Sequence, residues 1–265
     1  MVGMPDNGRR APRVTIITVV FNARELLAET IRAIDKLDYP DLEHVIVDGG
    51  STDGTADLLN APRKIAVSTV SEPDCGIYDA MNKGMRLARG DYIWFLNAGD
   101  TPASSDILDA LLESDTPDVL YGDTTLVDPH GRLVKIVRAP ANLSASIMVW
   151  GMLVSHQSIA LRRDLAPLYD LQYRYIADQK WIVDGLKEAK TIRYLGKPMS
   201  NYLTGGLSEQ NYSRAWLEKV RYNFNDCPLS LAIRMTFWGF FSFGRFHAGS
   251  FYRFVLRKRR VRAVS

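Results

Sequence analysis

The feature that most constrains this 265-residue chain is a regular alternation of apolar and amphipathic segments over its first hundred residues. Four runs rich in β-branched and aromatic residues have the composition of buried strands: RVTIITVVFN from residue 13, LEHVIVDGG from 42, KIAVSTVSE from 64 and DYIWFLNAGD from 91. Between these runs lie three segments whose apolar residues recur at helical spacing: ARELLAETIRAIDKL, STDGTADLLN and GIYDAMNKGMRLA. This order predicts an α/β fold with a parallel sheet and helices on both faces.

The remainder of the chain has a looser pattern. We expect a helix in SDILDALLES from residue 105, two strands around the turn DPHG at 128–131, and a strand in SHQSIALRRDL from 155. A helix in YIADQKWIVDGLKEA from 175 and a last strand in TIRYLGKPMSNYL from 191 follow.

A composition of 46% hydrophobic and 24% charged residues argues against disorder, and two cysteines are too few for a disulfide framework. A net charge of only +3 speaks against nucleic acid as a partner.

Three aspartates mark the edge of the predicted sheet where a ligand would bind. Asp48, Asp74 and Asp100 fall at or just after the ends of the second, third and fourth strands. In open α/β sheets, ligands bind outside the carboxyl ends of the strands. The sequence therefore predicts a polar ligand site at this edge. A dinucleotide site is not indicated, because GGSTDG does not match GxGxxG.

Five segments together resemble the family 2 glycosyltransferases, in their order and spacing as well as their residues. They are VTIITVVFNA, VIVDGGSTDGT, EPDCGIYDAMNKGMRLARGDYIWFLNAGD, SHQSIALRR and YIADQKW, and the resemblance covers roughly residues 13–202. It is greatest to the branch that builds bacterial cell-surface polysaccharides and glycolipids. The resemblance implies a GT-A nucleotide-sugar-binding fold, with a Rossmann-like, mostly parallel sheet flanked by helices. It also implies inverting transfer from a nucleotide-diphosphate sugar, a UDP-sugar being favoured, to a hydroxyl of a glycan or lipid-linked acceptor.

The domain organisation follows from the same resemblance and from composition. We expect a flexible leader at residues 1–12 and a catalytic domain at 13–207, with a nucleotide-sugar-binding half at 13–100 and an acceptor-binding half at 101–207. A C-terminal helical, membrane-facing segment would occupy 208–265. The leader lacks the apolar core of a signal peptide.

The resemblance assigns the nucleotide sugar to residues at the ends of the first four strands and on the third helix: Val20, Phe21, Asn22, Asp48, Gly49, Asp74, Lys83, Asn97 and Ala98. Related enzymes usually carry two successive acids where this chain has Asp48-Gly49, and Asp74 would partly replace the acid lost at Gly49. Two alternatives stay open. Asp48 could instead stabilise the turn before the next helix, and Lys83 could lie on an exposed charged face.

Asp100 matches the family's metal ligand, which implies Mn²⁺ or Mg²⁺ as cofactor. The acid that usually precedes it is Gly99 here. One carboxylate suffices when phosphates supply other oxygens to the cation, which neutralises the departing diphosphate. Alternatively, Asp100 could cap a helix that follows Thr101-Pro102.

Asp178 matches the family's catalytic acid, which would take the proton of the acceptor hydroxyl as it attacks the sugar. The alternative is a favourable charge at the start of the late helix. His156 and Gln157 lie on what we predict to be an otherwise apolar strand. They are assigned to acceptor or phosphate contacts, or to a satisfied core position.

The C-terminal segment combines aromatic residues with six cations: Arg253, Arg257, Lys258, Arg259, Arg260 and Arg262. Such a mixture suits an anionic membrane surface, and a helix packed on the catalytic domain is the alternative. We therefore expect a cytoplasmic protein, peripheral on the inner face of the cell membrane. A nucleotidyltransferase would need a glycine-rich basic loop near the first strand, and VVFNAREL offers none. A catalytically degenerate glycosyltransferase-like binding or scaffold subunit is the other alternative.

Overall fold

The computed structural model describes residues 10–113, 115–205 and 212–236. The chain divides into two compact units, Met1–Leu207 and Ser208–Ser265, which we describe separately. Most of the predicted leader, up to residue 9, and the basic end of the chain, from residue 237, lie outside the described residues.

The first unit contains nine strands and four helices within its described residues. The strands are β1 Val14–Val20, β2 Leu42–Asp48, β3 Ala66–Ser71, β4 Tyr92–Phe95, β5 Thr101–Pro102, β6 Val119–Val127, β7 Leu133–Val137, β8 Ile159–Arg162 and β9 Ile192–Leu203. The helices are α1 Arg24–Ile34, α2 Ile77–Leu87, α3 Ala145–Met148 and α4 Ala177–Glu188. Short 3₁₀ turns occur at Thr55–Leu58, Asp109–Leu111, His156–Ser158 and Arg163–Leu165.

All nine strands belong to one sheet, in the order β3-β2-β1-β4-β8-β6-β9-β5, with β7 paired to β6. The half built from β1 to β4 is parallel, as predicted, and brings Val20 beside Asp48. Beyond β4 the sheet is mixed, because β8 runs antiparallel to both β4 and β6, whereas β6 and β9 run parallel. The carboxyl ends of β1 to β4 thus share one edge.

The apolar runs of the sequence are explained by burial on both faces of the parallel half. Every residue of β1, β2 and β4 is buried. Helix α1 buries Leu27, Thr30 and Ile34 and leaves its charged residues exposed. Burial on both faces is why these strands show continuous apolar runs instead of alternation.

Two predicted helices are 3₁₀ turns instead. In SDILDALLES, the amides of Asp109, Leu111 and Leu112 bond to carbonyls three residues back, while Ile107 and Leu108 are buried. In STDGTADLLN, Asp53 accepts the amide of Thr55 at 3.0 Å and Gly54 has a φ of +86°. These local bonds replace the first turn of a regular helix. The apolar residues of both segments are therefore buried although the backbone forms only a tight turn.

The second unit contains α5, Tyr212–Asp226, and a further helical stretch at residues 229–236. Tyr222, Ala232 and Met235 are buried. In the part of the chain that the structure describes, no helix is both long and apolar enough to cross a membrane.

Candidate active site

The loops after β1 and β2 are joined by hydrogen bonds at the carboxyl edge of the sheet. The amide of Asn22 donates to Ser51 Oγ at 2.7 Å, and Asn22 Oδ1 accepts the amide of Thr52 at 2.8 Å. Asn22 has a φ of +47°, a left-handed conformation that asparagine tolerates better than most residues. Phe21 follows the buried Val20 and is 62% exposed, so an aromatic face lies open beside these loops.

Asp48 is fully buried at the end of β2. Its carboxylate accepts the amide of Ser51 at 3.1 Å, the Ser51 hydroxyl, and the Ser71 hydroxyl at 2.6 Å. This geometry favours the turn-stabilising alternative, because both carboxylate oxygens are engaged by the protein. Asp48 thus holds the loops that carry neighbouring site residues.

Asp74 occupies the space beside Gly49. A β-carbon added at Gly49 would lie 2.5 Å from Asp74 Oδ2 and 3.3 Å from a ring atom of Phe21. Asp74 Oδ1 accepts the amide of Gly76 at 2.8 Å, whereas Oδ2 has no hydrogen-bond donor among the described residues. The half-buried Asp74 therefore presents a carboxylate oxygen where the side chain of a second acid would begin, next to the exposed ring.

Lys83 supports the loop that carries Asp74. Its Nζ lies 2.9 Å from Glu72 Oε1 and donates to the carbonyl of Pro73 at 2.8 Å. The lysine therefore lies near the predicted nucleotide site, but its ammonium is paired within the loop.

The loop between β4 and Asp100 is fixed by α1 and by a close contact with β9. Thr30 Oγ1 accepts the amide of Gly99 and donates to the carbonyl of Asp100, both at 2.9 Å. The amide of Ala98 donates to the carbonyl of Val19. Gly99 has a φ of +98°, and a β-carbon there would lie 2.8 Å from Leu203 Cδ2. The positive φ strains any L side chain, so the backbone conformation at this position disfavours an acid.

Asp100 is buried, and both its oxygens accept hydrogen bonds. Gln157 Nε2 and the amide of Leu203 each donate from 3.1 Å. Burial raises the pKa of Asp100 to about 6, although the hydrogen bonds from Leu203 and Gln157 oppose this shift. The helix-capping alternative is wrong, because the next helical turn begins only at Asp109 and the oxygens of Asp100 accept from Gln157 and Leu203 instead. Within the described residues, no three His, Cys, Asp or Glu side chains come together as a metal site.

His156 and Gln157 lie on a 3₁₀ turn before β8, so the predicted strand position is wrong. Gln157 Oε1 accepts the Ser155 hydroxyl, and the carbonyl of Gln157 accepts the indole N–H of Trp94 at 2.8 Å. These bonds aim the amide of Gln157 at Asp100. The turn ends the regular pairing with β4 and so frees both side chains to face the site.

Asp178 lies in the first turn of α4 with its side chain 17% exposed. Its Oδ1 accepts the amide of Gln179 at 2.8 Å, and its Oδ2 lies 3.5 Å from His156 Nδ1. Tyr78 is buried against it, and the pKa of Tyr78 is well above the usual value because of burial first and the negative charge of Asp178 second. The structure thus brings an aspartate with a partly exposed carboxylate close to His156.

The predicted site residues fall into two groups along one edge of the sheet. One group consists of Asn97, Ala98, Asp100, His156, Gln157 and Asp178, and the 3.4 Å approach of Asn97 Nδ2 to His156 Nε2 links its segments. The other group, at the ends of β1 to β3, consists of Val20, Phe21, Asn22, Asp48, Gly49, Asp74 and Lys83.

Three aromatic residues at this site are absent from the sequence-based assignment: Tyr78, Tyr169 and Trp181. Rings of Tyr78 and Tyr169 stack at 5.2 Å, and those of Tyr169 and Trp181 at 5.4 Å. Trp181 lies three residues after Asp178 on one helix, a spacing that signals a shared face. Tyr169 carries no such local signal.

The chain is similar in sequence or in fold to several known proteins. The profile of glycosyl transferase family 2 matches residues 15–145. A PGL/p-HBAD biosynthesis glycosyltransferase of Mycobacterium bovis is 30% identical over 224 residues, which cover 79% of this chain and 84% of the relative.

Two solved structures have a similar fold. The complex of S. aureus TarS with UDP-GlcNAc has a TM-score of 0.59 at 17% identity, covering 84% of this chain and 70% of that one. The mannosyltransferase PcManGT from Pyrobaculum calidifontis, in complex with GDP-Man and Mn²⁺, has a TM-score of 0.59 at 20% identity, covering 83% of this chain and 65% of that one.

Proposed function

Since the chain belongs to glycosyl transferase family 2 and has the predicted GT-A fold, we propose that it transfers a sugar from a nucleotide-diphosphate sugar to a hydroxyl group, with inversion. A UDP-sugar is the favoured donor, and a glycan or lipid-linked molecule of the cell envelope is the favoured acceptor. The single observation that carries the proposal is the arrangement of Asp100 and Asp178. Neighbouring residues of one turn, Gln157 and His156, contact these two carboxylates at the ligand-binding edge of the sheet.

The nucleoside is assigned to the group at the ends of β1 to β3. Phe21 offers an exposed ring for stacking against the base, and Asp74 offers a carboxylate oxygen beside it. Asp48 contributes indirectly by holding the loops. Nucleotide sugars are bound in both similar structures, UDP-GlcNAc in one and GDP-Man in the other, which supports a donor of this class.

Asp100 would hold a divalent cation, Mn²⁺ or Mg²⁺. The fit rests on its chemistry: a carboxylate has about four lone-pair sites, of which two accept hydrogen bonds here, and the donor's diphosphate would complete the oxygen ligands. Burial disfavours the charged carboxylate, and a cation would compensate for this cost. When bound, the cation would neutralise the developing charge of the diphosphate.

Asp178 would act as the general base. As the acceptor oxygen attacks the anomeric carbon, its proton passes to the carboxylate of Asp178, and the nucleoside diphosphate leaves from the opposite face of the sugar. The buried Tyr78 packs against this carboxylate, and His156 Nδ1 lies 3.5 Å from Oδ2. Oδ1 is turned to the helix amide, so Oδ2 is the oxygen that would receive the proton.

The C-terminal residues from 237, which lie outside the described residues, would bind an anionic membrane surface from the cytoplasmic side. Each cation near such a surface contributes about 1 kcal/mol, so the six basic residues between 253 and 262 would suffice for salt-sensitive attachment. Flotation with neutral and anionic liposomes tests this. Binding to anionic vesicles alone, reversed by high salt, is expected, and equal binding to both kinds would contradict it.

The decisive experiment offers the protein a panel of sugar nucleotides with Mn²⁺ and an acceptor mixture. Release of nucleoside diphosphate together with a glycosylated product is expected, and the product's anomeric configuration, read by NMR, should be opposite to that of the donor. Retention of configuration would rule out direct inversion by Asp178.

A binding or scaffold subunit is the second candidate, favoured by the glycines at positions 49 and 99. In that case the protein would bind a sugar nucleotide but neither hydrolyse nor transfer it.

A further inference from the structure

Unpaired polar atoms concentrate around Asp178. Five buried side-chain nitrogen or oxygen atoms of the described residues have no hydrogen-bond partner, and four of them belong to this one place: Asn97 Oδ1, His156 Nδ1, Tyr169 Oη and Trp181 Nε1. The fifth belongs to Asn223 in the second unit. Buried polar groups without partners destabilise a protein, so such a concentration calls for an explanation.

The four side chains form one continuous wall around the ring of Phe95. Its centroid lies 5.4 Å from Tyr169, 5.4 Å from Trp181 and 6.1 Å from His156, in each case edge to face. Asn97 joins the wall through its 3.4 Å approach to His156 Nε2. Asp178 lies beside the wall, 3.5 Å from the unpaired nitrogen of His156.

Other buried polar groups nearby are paired, so imprecise packing does not account for the pattern. Asn82 exchanges two hydrogen bonds with the backbone of Tyr169, at 2.7 and 2.9 Å. Gln179, next to Asp178, donates to the carbonyl of Met148 at 2.6 Å. The backbone around the wall is therefore held by hydrogen bonds, while the four polar atoms of the wall itself have no hydrogen-bond partner among the described residues.

We infer that the unpaired atoms of Tyr169 and Trp181, with those of Asn97 and His156, bind the hydroxyl groups of a sugar ring beside Asp178. The inference rests on the proposed glycosyl transfer and names a subsite for it. Trp181 Nε1 is a donor, Asn97 Oδ1 an acceptor, and the Tyr169 hydroxyl both, which matches the mixed donors and acceptors of a sugar.

Other ligand classes fit the wall poorly. A phosphate or carboxylate would meet the negative charge of Asp178 at short range. An apolar group would leave the four polar atoms unpaired. A neutral, hydroxyl-rich ring can supply donors and acceptors to the four polar atoms without adding a charge beside Asp178. This sugar belongs either to the donor or to the acceptor, and the experiment below separates the two.

Tyr169→Phe is the informative variant, because it removes only the unpaired oxygen. The ring is held between Tyr78 and Trp181, so it should stay in place. The matched control is Tyr121→Phe, since the Tyr121 hydroxyl donates to the carbonyl of Pro140 at 2.7 Å and accepts the amide of Leu143 at 3.3 Å. Both are buried tyrosines, and only one has a paired hydroxyl.

Tyr169→Phe should keep or raise the Tm and weaken sugar recognition by about 3- to 10-fold, the effect of one lost hydrogen bond. Tyr121→Phe should lower the Tm and leave recognition unchanged. Calorimetry compares a sugar nucleotide with its nucleoside diphosphate: weaker binding of the sugar nucleotide alone places the donor sugar at the wall. A higher KM for the acceptor at saturating donor places the acceptor sugar there.

Two results would overturn the inference. One is unchanged donor binding and unchanged acceptor KM in Tyr169→Phe. The other is a loss of Tm as large as that of Tyr121→Phe, since the hydroxyl would then be paired within the protein. If either result is found while the wild-type protein transfers sugar, the proposed function stands and only the proposed sugar subsite is rejected. A wild type that binds donor without turnover would refute the proposed function, and the calorimetric comparison would still decide the donor subsite.

Discussion

The side-chain amide of Gln157 donates to Oδ2 of Asp100 across 3.1 Å. This bond joins the turn before β8 to the loop after β4, although the two residues are 57 positions apart. His156, the preceding residue, approaches Asp178. One short turn therefore contacts both carboxylates, and a shift of this turn would change the proposed metal-binding and base positions together.

Asp100→Asn should abolish Mn²⁺-dependent binding of the donor while the protein stays folded. Asparagine keeps the shape of the side chain, and Gln157 can turn its amide to pair with it, but a neutral oxygen is a poor ligand for a hard cation. Calorimetry with and without Mn²⁺ measures the effect. The control is Asp106→Asn, a carboxylate paired with Lys197 outside the site. Metal-dependent binding that survives in Asp100→Asn would remove Asp100 from the metal site.

Asp178→Asn should keep donor affinity and lower kcat by about 10²- to 10⁴-fold, the usual contribution of a general base. The matched control is Asp184→Asn on the same helix, whose carboxylate pairs with Lys180 and Lys187. That change should cost some stability and leave kcat near the wild-type value. If Asp178→Asn lost donor binding but kept its rate at saturation, Asp178 would be a binding residue instead.

Asp74→Ala should weaken nucleoside diphosphate binding by about 10- to 100-fold, the range for a hydrogen bond to a charged group. Gly49→Asp alone should also weaken it, because the new side chain would begin 2.5 Å from Asp74 Oδ2. The double variant Gly49→Asp/Asp74→Ala should recover affinity for the nucleoside diphosphate. Its carboxylate would then reach the same space from position 49, after the end of β2.

The control for this pair is Glu29→Ala, which removes an exposed acid on α1. A double variant no better than the two single variants would show that Asp74 and Gly49 do not share one space in the function of the site.

His44 should make the protein less stable in mild acid. Its Nδ1 faces Arg63, which can only donate, and its Nε2 lies 2.8 Å from Thr18 Oγ1, so the buried ring is neutral. Burial first and Arg63 second hold the pKa of His44 well below its usual range. The unfolded chain binds a proton below about pH 6.5 and the folded chain does not, so stability is complete above that pH and is lost as the pH falls.

Urea unfolding at a series of pH values measures the effect. The contribution of His44 should lower the free energy of unfolding by up to about 1.4 kcal/mol per pH unit below pH 6.5, until its folded pKa is reached. Asp100, whose pKa is raised to about 6 in the folded protein, opposes this slope below that pH. His44→Gln should flatten this slope, whereas His130→Gln, at an exposed position, should not change it. The same slope in wild type and His44→Gln would place the titration elsewhere.

Sequence periodicity by itself determined the parallel half of the sheet. Runs such as VTIITVV report burial on both faces, and burial on both faces permits little besides a central parallel strand. Motif resemblance determined the candidate aspartates at positions 48, 74, 100 and 178. The short turns at Thr55–Leu58 and His156–Ser158 were mistaken for a helix and a strand, because local side-chain and turn bonds outweighed periodicity there.

Only the tertiary structure decided which of these groups remain available for a ligand. Asp48 and Asp74 are both acids near strand ends. Ser51 and Ser71 engage the first, whereas Oδ2 of the second accepts no hydrogen bond from the described residues. The preference for glycine at position 99 comes from its positive φ, in a loop that the hydrogen bonds of Thr30 hold. A sequence pattern reports the environment of a residue relative to its chain neighbours. Hydrogen-bond partners and close contacts here come from residues tens of positions apart, and only the packing of the loops brings them together.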